Sequence, residues 1–291
     1  MAAANNPFKY NFAIVSRIAA SFAESSSFDV KKGGTIDIDK ARREHEDLVE
    51  ALRRIGLDVI ELPCDEKHPD GLFVNDIAVV VNGTALICNP PSIKDRPSRQ
   101  GELAVVRQVL RKELGLKIVE VESETAFVEG GDVLWTGREI YVGLSKRTNM
   151  LGAQAVAKAF PEYPCNIVKV HEPSVHLRDN ISMAGPEVIA VAKTPSAQKT
   201  FQEIRSSGGP GYKYISVEED EAGNVIFCNG TLLHLAAEQI PKGFAVFENK
   251  IDYPRVAIHM EEPLKRSGRL ASCVLIINRV RHPKKFPTSV P

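Results

Sequence analysis

Ile77-Ala-Val-Val-Val-Asn-Gly-Thr-Ala-Leu-Ile87 is two apolar runs joined at Asn82-Gly83. An Asn-Gly pair between apolar runs is a strong short-range hairpin signal. The same unit recurs along the chain. A second hairpin runs from Asp132 to Gly143 and turns at Thr136-Gly137-Arg138. A third turns near Gly185-Pro186 and continues into Val188-Ile-Ala-Val191, and a fourth, Val225 to Leu233, turns at Asn229-Gly230. Cys273 to Ile277 reads as the last apolar strand. Turn spacings of about 44 to 54 residues predict a blade-like repeat with roughly five members.

Helices are expected between the hairpins. In the stretch from Asp37 to Gly56, the residues Ile38, Ala41, His45, Leu48, Leu52 and Ile55 step by three and four and share one face, and Gly56 supplies the stop. Glu102 to Leu114 and Thr148 to Phe160 read similarly, and short strands follow at Leu57–Leu62 and Leu116–Val121. No composition break marks a linker, so one domain over residues 1–291, with its core at about 10–280, is the expectation. Ser21 to Thr35, polar and holding Lys31-Lys-Gly-Gly34, is expected to be a mobile surface loop.

Composition narrows the function classes. The chain has 291 residues, 43% of them hydrophobic, and 37 basic against 37 acidic side chains, so it lacks the net positive charge that attracts nucleic acid or anionic lipid. No run of 18 apolar residues suggests a membrane span, and Met1 to Tyr10 lacks a signal-peptide layout; the expectation is a cytoplasmic protein. Cys64, Cys88, Cys165, Cys228 and Cys273 are odd in number and scattered, which suits neither a disulfide framework nor a zinc site. Free cysteines are mostly small buried hydrophobes, so a reactive one needs a separate argument.

Four clusters carry candidate chemistry. Asp70-Gly-Leu-Phe-Val-Asn-Asp76 puts acidic residues at the mouth of the first hairpin, where they could grip a cation or simply make a turn. Glu129-Gly-Gly-Asp132 lets the backbone pass close to something and aims a carboxylate into that space, although a plain turn explains the glycines equally well. His176, which precedes a strand-like run and is flanked by apolar residues, is either a structural histidine or a general acid/base. Ser267-Gly-Arg-Leu-Ala-Ser-Cys273 places a small polar residue and a cysteine at the opening of the last strand.

In order, these motifs resemble dimethylarginine dimethylaminohydrolases of the guanidine-modifying (pentein) superfamily, from about Phe12 to Asn278. The likeness rests on Phe73-Val-Asn-Asp-Ile-Ala-Val-Val80, Pro97-Ser-Arg99 and Gly130-Gly-Asp-Val-Leu134 before Thr136-Gly-Arg-Glu139. It extends through Val142-Gly-Leu-Ser-Lys-Arg-Thr-Asn149, His176-Leu with Ser182-Met-Ala-Gly185, and the Gly268 strand. The resemblance implies an α/β fold, a five-bladed propeller with a central active site. It also implies hydrolysis of N-methylated L-arginine to citrulline through a covalent cysteine adduct, with no metal or cofactor. The small-molecule substrate would be the partner.

By motif match, His176 would be the acid/base, Glu129 its carboxylate, and Cys273 the nucleophile. Asp76 would grip the guanidinium with Asn75 beside it, and Asp70 would meet the substrate amino group. Arg99 and Arg147 would bind the substrate carboxylate. Phe28 in a lid, Arg266 and Ser272 would complete the pocket. Two positions depart from the family pattern. Asn75 stands where the usual pair is Glu-Asp, and counting without a gap from Gly268 puts Ser272 at the nucleophile position with Cys273 its neighbour. Either Cys273 serves through a one-residue shift, or Ser272 replaces the nucleophile, naturally or as an inactivating change; the register of the strand decides. The alternatives are a related guanidine hydrolase such as an arginine deiminase, and a catalytically dead relative that binds ligand or a partner.

Overall fold

The computed structural model describes residues 6–24, 35–91, 99–207, 209, 211–266 and 268–278. In chain order the first strand, β1 (Phe12–Ser16), leads through α1 (Ile38–Arg54) to β2 (Asp58–Leu62), which pairs parallel to β1. The hairpin at Asn82-Gly83 forms as expected: β3 (Ala78–Val81) and β4 (Thr84–Ile87) pair antiparallel. Both turn residues sit at positive φ, 44° and 82°, the geometry that Asn and Gly tolerate. A helix, α2 (Gln100–Gln108), and a wider π turn over Val109–Glu113 then carry the chain to β5 (Lys117–Glu120), parallel to β4.

The pattern repeats three times more. β6 (Val133–Trp135) and β7 (Ile140–Leu144) make a hairpin, and α3 (Met150–Ala159) leads to β8 (Cys165–Lys169). β9 (Ile181–Gly185), β10 (Val188–Ala192), α4 (Pro195–Ser206) and β11 (Lys213–Val217) follow. Next come β12 (Ile226–Cys228), β13 (Thr231–Leu235), α5 (Pro241–Lys250), β14 (Arg255–Ile258) and a short α6 (Glu261–Leu264). The last strand, β15 (Leu275–Ile277), returns to pair antiparallel with β1, so chain-terminal strands close the first blade. The result is five three-stranded sheets, each an antiparallel pair extended by a parallel strand. This is the α/β five-bladed architecture that the hairpin repeat implied.

Local chemistry accounts for the helices. Asp37 caps α1 by accepting from the Lys40 N–H at 2.9 Å, and the buried face carries Ala41, Leu48, Val49 and Leu52. Asn149 caps α3, accepting from the Gly152 N–H at 2.9 Å. Apolar core fills the space between sheets and helices, including the wholly buried Phe22, Phe73, Tyr141 and Phe247. One expectation fails: the last strand starts at Leu275, because Leu270–Cys273 winds into a 3-10 turn before it. Among the described residues no helix is long and apolar enough to cross a membrane.

Candidate active site

A single-turn 3-10 segment precedes the first strand of every blade: Val74–Asp76, Gly130–Asp132, Leu177–Asp179, Glu221–Gly223 and Leu270–Cys273. These turns pack on one another in sequence around the propeller axis. The ring closes where the Ala271 N–H donates to Asn224 Oδ1 at 2.8 Å. The repeat therefore does more than build blades: it delivers one short polar turn per blade to a common centre. Packing is tight enough to exclude side chains. A Cβ on Gly130 would lie 1.9 Å from the Asn75 carbonyl oxygen, and one on Gly131 would lie 2.8 Å from His176 Cγ. That is the close approach for which the paired glycines were singled out.

His176 and Glu129 meet in this ring. Nε2 of the imidazole lies 2.7 Å from Glu129 Oε2, with Glu129 wholly buried. Nδ1 lies 3.5 Å from Asp179 Oδ1, while Asp179 Oδ2 accepts from the backbone N–H groups of Val175 and His176 at 2.8 and 3.0 Å. Burial alone opposes a charged ring. The hydrogen bonds to Asp179 and Glu129, with the nearby charges of Asp132 and Asp76, win and hold the imidazole well above its ordinary value. For Asp179, burial pushes upward, but the His176 hydrogen bond and charge, with Arg269, bring the carboxyl down to about 2. For Asp132, burial dominates and lifts the carboxyl to about 7, against the pull of His176 and the Ser145 hydroxyl. Asp132 Oδ2 accepts from Ser145 Oγ at 2.7 Å and its Oδ1 from the Leu177 N–H at 2.9 Å, tying the His176 turn to the loop after β7.

Asp76 faces the same point: single ligand-type atoms of Asp76, Glu129 and His176 lie within 4.8 Å of one another. Three such atoms could hold a cation. Arg99 already donates to Asp76 Oδ2 at 3.2 Å, and a charged His176 lies against Glu129, so the local carboxylates have cationic neighbours without a divalent ion.

Other expected residues stand elsewhere. Arg99, expected to bind the substrate carboxylate, is buried with all three nitrogens engaged. Besides Asp76, it donates to Glu102 at 2.9 and 2.7 Å and to the carbonyls of Asp70 and Phe73 at 3.2 and 3.0 Å. It acts here as a clamp behind Asp76 rather than as a free fork. Asn75, expected beside the guanidinium, turns away and accepts from Arg178 Nη1 at 3.2 Å in an axial cavity. Asp70 is buried in the turn Pro69–Leu72. Arg147 is half-buried, and its N–H donates to Ser145 Oγ at 2.9 Å. Arg266 is buried and donates to the Ala23 carbonyl, at the edge of residues 25–34. Phe28 and the expected lid lie outside the described residues.

At the nucleophile motif, Ser272 is half-buried and its N–H donates to the Arg269 carbonyl at 3.0 Å. Cys273 has no exposed surface, belongs to the main apolar cluster, and has the Arg269 carbonyl 3.5 Å from its sulfur. Burial pushes its thiol far up, and the Asp76 charge pushes it further. The two residues lie on a 3-10 turn and not on a strand, so strand alternation does not apply to them.

Residues 12–239 match the family described as N,N dimethylarginine dimethylhydrolase, eukaryotic. The chain belongs to this family. The human protein named "Putative hydrolase DDAH2" is 35% identical over 255 residues, spanning 85% of this chain and 87% of its own. The fold is shared with dimethylarginine dimethylaminohydrolase from Pseudomonas aeruginosa, solved as a cysteine-to-serine mutant complexed with citrulline. The TM-score is 0.77 at 24% identity, covering 93% of this chain and 100% of that one. The N-terminal domain of ArgZ, a cyanobacterial arginine dihydrolase, gives a TM-score of 0.75 at 17% identity, over 92% and 98% of the two chains.

Within this family member, motif reasoning passed over Asp179 and Ser145 as site residues. Asp179 had a readable signal: it follows His176 by three residues, the spacing at which a side chain reaches back to a turn's first N–H groups. Ser145 had none, since its tie to Asp132 spans two elements.

Proposed function

We propose that this chain binds the guanidinium end of an arginine-class ligand, of which N-methylated L-arginine is the first candidate, and that it does not hydrolyse the ligand as its sequence stands. The observation that carries the reading is the state of Cys273. A thiol must ionise to attack a guanidinium carbon, and apolar burial beside a carboxylate disfavours the thiolate. Counted without a gap from Gly268, the family's nucleophile position falls on Ser272, and an alcohol beside a guanidinium stays protonated. In support of binding, His176 lies against Glu129 with Asp76 facing the same point, and relatives of this fold include proteins solved with citrulline and with an arginine dihydrolase substrate.

The test is citrulline release from asymmetric dimethylarginine and from arginine, alongside calorimetric binding of each. Binding without turnover is expected. Ser272→Cys should introduce turnover: the thiolate adds to the guanidinium carbon, the C–N bond to the departing dimethylamine (ammonia, for arginine) breaks as His176 delivers a proton, and water then releases citrulline and restores the thiol. A second reading, hydrolysis by Cys273, draws on its place beside Ser272 on the same 3-10 turn, one of the five that meet around the axis. Turnover by the unaltered chain that disappears in Cys273→Ala would establish it and overturn the first.

A further inference from the structure

Behind the ring of turns lies an axial cavity of about 80 Å³, well above the roughly 10–15 Å³ that one water needs. Apolar strand residues such as Met183 and Phe227 make up most of its wall, and Arg178 is the single charged residue among the described residues lining it. Among the described residues its guanidinium forms no ion pair; its hydrogen bond goes to the neutral Asn75 amide oxygen at 3.2 Å. Ser182, 1% exposed, also lines the cavity, and its hydroxyl has no hydrogen-bond partner among the described residues. Tyr10 adds a third donor-bearing side chain to the wall.

We infer that this cavity is a binding site for a small monovalent inorganic anion of the chloride, bromide or nitrate class, held by Arg178 with the Ser182 and Tyr10 hydroxyls. Arg178 is half-buried, and a guanidinium facing a mostly apolar cavity wall loses hydration that one neutral amide oxygen does not replace. The Tyr10 phenol and, after it, the Asp76 carboxylate are the titratable groups that act on it, and Asp76 is already bonded to Arg99 at 3.2 Å. Burial accordingly pulls the Arg178 guanidinium below its usual range. Hydroxyl groups serve an anion as donors, and the described residues of the cavity wall include no carboxylate to repel one. A divalent anion would be left with uncompensated charge, which selects for a single negative charge.

The site predicts its own bypass. Asn75→Glu would set a carboxylate on Arg178 where the amide oxygen now sits, replacing the anion with a built-in charge. The experiment follows thermal unfolding of the full chain while bromide replaces gluconate at constant ionic strength. For the wild type, a saturating rise in Tm of about 2–4 °C is expected. Asn75→Glu should start higher in gluconate and show no bromide-dependent rise. Crystals soaked in bromide should give an anomalous peak beside the Arg178 guanidinium in the wild type. An unchanged bromide response in Asn75→Glu, or no peak at Arg178 in the wild-type crystals, would overturn the inference.

Discussion

Glu129→Gln isolates what one buried carboxylate does to His176. The substitution keeps the shape and leaves an oxygen 2.7 Å from Nε2, but converts a charge-assisted hydrogen bond into a neutral one. Bonds to charged groups contribute about 1.5–3 kcal/mol and neutral ones about 0.5–1.5, so the imidazolium loses about 1–2 kcal/mol of preferential stabilisation. At 1.36 kcal/mol per unit, that lowers the imidazole pKa by roughly one unit. Asp179, still 3.5 Å from Nδ1, prevents a larger fall. The sign for stability follows from the raised folded-state pKa: the His176 contribution is fully present below the unfolded value near 6.5 and is lost as pH rises through the folded value. In Glu129→Gln that loss sets in at lower pH. The variant should therefore be less stable than the parent at pH 6, with the gap narrowing toward pH 9.5 as His176 gives up its proton. Ring-nitrogen NMR titration of His176, paired with urea unfolding at both pH values, measures the two effects. An unmoved His176 titration, or a gap that widens with pH, would refute the coupling.

Arg99→Ala removes the partner of two largely buried carboxylates, Asp76 and Glu102, and should cost about 3–5 kcal/mol in urea unfolding; a loss under about 1 kcal/mol would contradict the clamp role. Gly131→Ala forces a methyl to within 2.8 Å of His176 Cγ and should cost about 1–3 kcal/mol while lowering the His176 pKa as the ring leaves Glu129. Unchanged stability with an unshifted titration would show that the ring can move without leaving its carboxylates.

Much of the fold was legible because its signals are local. Asn82-Gly83 and Asn229-Gly230 announce hairpins through the backbone angles that those residues alone adopt cheaply, and the turn spacing counts the blades. The helix periodicity of α1 is visible for the same reason; α4 and α5 were not singled out, although α4 carries a stronger apolar stripe than α2 or α3. The motif order brought Glu129, Asp76 and His176 forward as one family's machinery, and the ring of turns assembles them.

What the amino-acid order could not determine is where each neighbour in a motif points. Asn75 and Asp76 are adjacent, yet one faces Arg178 in the axial cavity and the other faces His176, because the 3-10 turn between two packed blades fans successive side chains apart. Arg99 reads as a free binding fork until the carbonyls of Asp70 and Phe73 and the carboxylates of Asp76 and Glu102 close around it. Ser272 and Cys273 are neighbours in the chain, yet Ser272 is half-buried while the Cys273 sulfur is sealed into the apolar core. Periodicity and turn chemistry are properties of a segment, so the sequence determined them alone. Burial, ion pairing and the ionisation of His176, Asp132 and Cys273 are set by groups that other blades deliver, and only the closed ring decides them.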